Sequence, residues 1–144
     1  MSRKKSAELE IEIVYRCKRK GLPSAQLIKQ HLQNVWNTYG GVKPANLCLV
    51  FMNEAEHTAL HQQFLNDPTP TDVMAFPYDD EDLCGEIVVN IDMAAQQCAS
   101  FRKNFSQEIL LYVVHGALHL IGFDDLCEAS KQNMRIAEER ILSS

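Results

Sequence analysis

V-V-H-G-A-L-H-L-I-G-F-D-D, residues 113–125, decides how this chain is read. With Ile109, Leu110 and Leu111 ahead of it, the segment keeps almost no polar face. The spacing predicts a helix that is apolar nearly all round, and so a buried central helix. Ser106 is expected to cap its start. His115 and His119 are four residues apart and share one face, one turn from each other. Gly122 follows where a helix can stop and the chain can reverse. Asp125 then arrives in position to swing back toward the imidazoles. One histidine in an apolar helix is usually a satisfied core residue. Two at this spacing, followed by a glycine and a carboxylate, make His115, His119 and Asp125 candidate metal ligands and candidate catalytic residues. Three ligands leave one coordination position open, which separates a catalytic zinc site from a structural one.

On both sides of this segment strands alternate with helices. In E-L-E-I-E-I-V, residues 8–14, Leu9, Ile11 and Ile13 face one way and the glutamates the other, as in a half-buried strand. After Gly21-Leu22-Pro23-Ser24, a helical period runs from Leu27 to Tyr39 and closes at Gly40-Gly41. L-C-L-V-F-M, residues 47–52, is apolar on both faces and reads as a central strand. Asn53 with Glu56 resembles a capping box for a helix ending near Leu65. A loop with two prolines leads to a short strand over 72–76, an acidic loop from Tyr78 to Asp82, and a strand from Gly85 to Ile91. Helices are expected over Met93–Lys103 and Glu128–Leu142. The pattern predicts an α+β fold, a small sheet with helices packed on both sides, in one domain spanning residues 1–144.

At 144 residues and 46% apolar content the chain can bury a real core. No apolar run is long enough to span a bilayer, and the basic start lacks the apolar stretch of a secretory signal, so the expected location is the cytoplasm. The five cysteines are scattered with no C-x-x-C pair, which argues against a disulfide framework or zinc ribbon. Cys127, two residues past Asp125, is the one that could compete as a ligand. A net charge of −5 excludes a general nucleic-acid coating protein, so any nucleic-acid contact must be local. The local candidates are Arg16, Lys18, Arg19 and Lys20, although a basic run alone reads first as a solvated loop.

Two imidazoles and a carboxylate suit zinc, and would also accept nickel, cobalt or manganese. Zinc lowers the pKa of a coordinated water and polarises a carbonyl or phosphoryl oxygen, which is hydrolytic chemistry. The spacing H-x-x-x-H-x-x-G-x-x-(H/D) is shared with metzincin proteases, where a glutamate after the first histidine is the general base. Here that position is Gly116, which cannot move protons. Asp124 is a weaker candidate for a base and could equally be a turn carboxylate.

H-G-A-L-H-L-I-G-F-D-D resembles the signature of the YbeY family, H-G-x-L-H-L-x-G-y-D-H, in which the glycine after the first histidine is part of the pattern. T-D-V-M-A-F-P (Thr71 to Pro77) and G-E-I-V-V-N (Gly85 to Asn90) are similar to two further family motifs in the same order. The resemblance implies a mixed four-stranded sheet surrounded by helices and a metal-dependent, single-strand-specific endoribonuclease. It implies a role in maturation of small-subunit (16S) ribosomal RNA and in ribosome quality control. The partners it implies are single-stranded RNA, the small ribosomal subunit and associated proteins such as the GTPase Era, and neither DNA nor a membrane. On this map His115 and His119 are metal ligands, one zinc ion is the cofactor, and the T-D-V-M-A-F-P strand with its preceding loop lines the cleft.

The chain departs from the family pattern twice. Asp125 stands where the family usually has histidine, so a zinc ion with its three ligands would carry +1 instead of +2, with a weaker pull on a phosphodiester. Phe64 and Leu65 stand where the family has a tyrosine-arginine pair. These exchanges keep a second reading open, a non-catalytic ribosome-assembly factor that retains its metal. A metalloprotease is a third, resting on ligand spacing alone. His57 and His61, also four apart, have no third ligand nearby and read as surface histidines. His31 reads as a core-edge residue, and the acidic loop lacks the ligand pattern of a calcium site.

Overall fold

β1 (Leu9–Arg16) alternates as its sequence dictates, with Glu10 and Glu12 exposed and Leu9, Ile11 and Ile13 turned inward. It belongs to a computed structural model that describes residues 9–40, 45–78, 85–101 and 104–143. β1 pairs in parallel with β2 (Ala45–Met52), and β2 in parallel with β4 (Gly85–Asn90). β3 (Val73–Pro77) runs antiparallel along the far edge of β4. The result is a mixed four-stranded sheet in the order β1-β2-β4-β3.

β2 is buried on both faces, and each face has its own helical cover. Leu47, Leu49 and Phe51, with Ile87 and Val89, pack into a core shared with α1 (Ala25–Tyr39), α4 (Phe105–Ile121) and α5 (Glu128–Leu142). Val50, Met52 and Val88 face the other way, with Met74 of β3 and Leu60 of α2 (Glu54–Leu65). α3 (Ile91–Phe101) follows β4 directly and packs on α4. α4 is the central helix, with Ile109, Val113, Val114, Ala117 and Leu118 completely buried. Among the described residues no helix is long and apolar enough to cross a membrane.

Three local expectations are corrected. Asn104, not Ser106, caps α4, its side-chain oxygen accepting the Gln107 N–H at 3.2 Å. The helix starts at Phe105, which puts Ser106 inside the first turn. The capping box at Asn53 does not form. Asn53 holds the cap position with extended backbone, but the first free N–H of α2, at Glu54, goes to the Asp92 carboxylate of α3 at 2.8 Å. An ionised acceptor binds an exposed helical N–H more strongly than a neutral amide does. Glu56 instead pairs with Arg16.

His57 and His61 are not on the surface. His57 is fully buried and donates from Nε2 to the Val88 carbonyl at 2.9 Å, and His61 donates from Nδ1 to the Thr69 carbonyl at 2.8 Å. The apolar residues of α2 are spread around its circumference, so its sequence does not say which face the sheet covers. The acidic run at 79–82 and the cysteine at 84 lie outside the described residues.

Candidate metal centre

α4 lies so close to the sheet that position 116 has no room for a side chain. A Cβ there would come within 2.6 Å of Ile87 Cγ2 and 3.1 Å of Val73 Cγ2. The position that carries the catalytic glutamate in metzincins is thus a packing contact between α4 and the strands β3 and β4. The adjacent face of α4 points away from that contact and presents His115 and His119, both half-buried.

Gly122 ends the helix in the left-handed region at φ 118°, where a side chain would be strained. Its N–H returns to the Leu118 and His119 carbonyls, and the Phe123 N–H returns to Leu118 at 3.0 Å. This reversal brings Asp125 back to the histidines. One nitrogen from each ring and a carboxylate oxygen of Asp125 lie within 4.8 Å of one another. Asp124 points elsewhere. It accepts the Leu126 N–H at 3.1 Å and a hydrogen bond from Ser130, and these bonds hold its carboxyl below the usual range. It has the turn role, one of its two readings. Cys127 is likewise occupied as the N-cap of α5, bonded to Ser130, and is outside the three-residue group.

The two imidazoles meet with Nε2 atoms 3.0 Å apart and rings crossed at 74°. On its other side His115 donates from Nδ1 to Oε2 of Glu138, at 3.0 Å. That bond assigns the His115 proton to Nδ1 and turns the Nε2 lone pair toward His119. Burial pushes the His115 imidazolium toward lower pKa, but the Glu138 hydrogen bond and charge, helped by Asp72 and Asp125, carry it above its ordinary value. His119 is pushed below its ordinary value by burial and by the charge of His115. The pair is built to share one cation, a proton or a metal ion. Ligand arms of about 2 Å put tetrahedral donors about 3.3 Å apart, so the two Nε2 atoms at 3.0 Å are already near that spacing and rotation of the exposed Asp125 closes the set. The donors present therefore fit a divalent metal.

Sequence reasoning missed Glu138. In E-E-R, residues 138–140, it reads as part of a solvated helix face. Its signal was Met134, one turn earlier in the buried stripe of α5, which places Glu138 at the rim of that stripe.

The loop before β3 is pinned beside α4. The buried Asn90 donates from Nδ2 to the Thr71 carbonyl at 3.1 Å and from its backbone to the Asp72 carbonyl at 2.9 Å. The Asp72 charge helps to raise the His115 pKa, and Val73 lies against Gly116 on the packing side of α4. Phe64 and Leu65 are 60% and 57% exposed, Phe64 making an edge contact with Phe76.

The family model described as Endoribonuclease YbeY matches residues 14–144. The chain belongs to the endoribonuclease YbeY family. Curated YbeY relatives include the protein named Endoribonuclease YbeY from Carboxydothermus hydrogenoformans. It is 31% identical over 121 residues, covering 82% of this chain and 83% of the relative. The protein of that name from Chlorobium phaeovibrioides is 30% identical, covering 86% of this chain and 83% of its own. Among solved structures, the solution structure of TM1509 from Thermotoga maritima superposes with a TM-score of 0.68. It is 28% identical and covers 92% of this chain and 87% of its own.

Proposed function

We propose that this chain is a metal-dependent endoribonuclease that cuts single-stranded RNA. Its place is the maturation of small-subunit ribosomal RNA and ribosome quality control in the cytoplasm, with the small subunit and its associated proteins, Era among them, as partners. Zinc is its ion, held by His115, His119 and Asp125. The observation that carries this reading is the convergence of those three side chains within 4.8 Å, in a chain of the endoribonuclease YbeY family.

A bound divalent ion supplies Lewis acidity to a phosphodiester and to its attacking nucleophile. The chain supplies the rest. His115 and His119 offer Nε2 lone pairs, with Glu138 holding the His115 proton on the far nitrogen. Asp125, exposed at the rim, removes one unit of positive charge from the site while leaving it open to a long polyanion. The tight packing at Gly116 argues against a protease-type base. The names of the curated relatives favour catalysis over a purely structural role in ribosome assembly.

The test is incubation of purified protein with single-stranded RNA, with and without chelator, beside the same RNA as a duplex and an elemental analysis of the protein. Cleavage of the single strand that chelation abolishes is expected. Undiminished cleavage by a His119→Ala, Asp125→Ala double variant would sink the assignment, because it would point to a contaminating nuclease.

A further inference from the structure

Four of the chain's 14 lysines and arginines fall within residues 16–20, in a protein whose net charge is −5. A run of that kind is usually a solvated loop. Here the backbone that carries it is fixed at several points. Cys17 and Leu22 are drawn into the edge of the main core. The Leu22 N–H closes a turn on the Arg19 carbonyl at 3.2 Å. Gly21, in the left-handed region at φ 82°, sits where a Cβ would be 3.3 Å from the Phe105 ring, so the turn rests on the start of α4.

Among the described residues, one of these side chains is paired with a carboxylate and three are not. Arg16 is paired with Glu56. Arg19 lies with its guanidinium carbon 3.9 Å from the centroid of the Tyr15 ring, and Tyr15 is stacked on the buried Phe51 at 5.6 Å. A guanidinium held by its face keeps its N–H edge available to a phosphate. Lys18 and Lys20 are exposed, and among the described residues neither has a carboxylate at ion-pair distance.

We infer that the turn Lys18-Arg19-Lys20 is a phosphate-backbone contact for RNA, outside the metal cleft. The inference rests on the RNA reading of the metal centre. The two are linked by α4: Phe105 underlies the turn, and His115, ten residues on, is about 15 Å further along the helix axis. A short oligonucleotide at the triad does not reach the turn, and a longer or folded RNA does. Among the described residues, the turn itself exposes no large apolar side chain, Cys17 and Leu22 being drawn into the core edge. The turn therefore offers charge and donors without the apolar anchor that protein interfaces use. Contacts of that kind position RNA without reading its sequence.

The test compares the metal-loaded wild type with the triple variant Lys18→Ala, Arg19→Ala, Lys20→Ala. Binding of a labelled long single-stranded RNA is followed by anisotropy over a series of salt concentrations, and gels of the same samples record cleavage. Three lost phosphate contacts reduce the log–log salt slope by about 2, so per tenfold rise in salt the wild type loses about a hundredfold more affinity than the variant does. Cleavage of a trinucleotide is expected to stay at the wild-type rate. The charge-conserving Lys18→Arg, Lys20→Arg variant should keep the wild-type slope and melt with wild type, while the triple variant should melt in one transition lower by no more than the few degrees that loss of the Arg19–Tyr15 contact costs. An unchanged slope and affinity in the triple variant overturns the inference and leaves the turn to an acidic protein partner. Binding that responds to the turn without any cleavage by the wild type would instead overturn the catalytic reading and leave the inference standing.

Discussion

Glu138 of α5 accepts a hydrogen bond from His115 of α4, Nδ1 to Oε2, at 3.0 Å across 23 residues of sequence. The carboxylate is only 14% exposed and the imidazole 23%, so water competes weakly for the bond. Removing such an outer partner typically lowers metal affinity 10–100-fold, because the ring loses its orientation and its tautomer preference. Glu138→Ala should lose metal by about that factor in competition with a chromophoric chelator. Glu138→Gln, which keeps an acceptor oxygen but no charge, should fall between that variant and wild type. Equal affinities in all three proteins would remove Glu138 from the site.

The convergence of His115, His119 and Asp125 was legible in the sequence, and the bond from His115 to Glu138 was not, for one physical reason. His115, His119, Gly122 and Asp125 come from eleven consecutive residues, and helical periodicity plus one left-handed glycine is enough to place them. The alternation of β1 and the two-sided burial of β2 were equally local signals. Glu138 to His115, Asp92 to Glu54 and His57 to Val88 join residues 23, 38 and 31 apart. Those bonds depend on which helix face meets which partner. For α2, with apolar residues all round, the pattern carries no such information, and two buried histidines read as surface ones.

Asp125→His converts the third donor from an anion to a neutral ring, raising the charge of the loaded site by one unit. One unit of charge 4 Å from a phosphate oxygen is worth about 1 kcal/mol at the dielectric of water, or roughly fivefold in rate. Because the position is exposed, water-like screening is the appropriate limit. The variant should cleave single-stranded RNA with kcat/KM about fivefold above wild type, and Asp125→Ala should lose metal and activity together. A His variant slower than wild type at full metal occupancy would mean that the carboxylate does more than hold the ion.

Gly116 separates packing from chemistry. Alanine would gain about 1 kcal/mol of helix propensity over glycine, but its Cβ would lie 2.6 Å from Ile87 Cγ2. Overpacking of this kind costs about 1–3 kcal/mol. Gly116→Ala should therefore be less stable than wild type by up to about 2 kcal/mol in urea unfolding, with an unchanged m-value. Gly116→Glu, which restores the protease-like residue, should unfold far more readily and acquire no peptidase activity. A Gly116→Ala protein more stable than wild type would show that α4 can move off the sheet at little cost.

His57 sets a pH dependence away from the metal. Its Nε2 is bonded to Val88, its buried Nδ1 has no partner among the described residues, and burial holds its pKa below the ordinary 6.5. In the unfolded chain the ring takes up a proton as pH falls through 6.5, while in the folded protein it stays neutral to lower pH. Between those two values the unfolded state binds more protons, so stability falls with falling pH, by at most about 1.4 kcal/mol per unit for one group. Above 6.5 both states are neutral and the contribution is flat. His57→Leu removes the titrating group along with its bond to Val88. Urea unfolding of both proteins across this range should give a wild-type-minus-variant stability difference that is constant above 6.5 and falls below it as the wild type loses stability. The histidines of α4 titrate in both proteins and cancel in the comparison. Parallel curves throughout would mean that His57 titrates alike in the folded and unfolded chain.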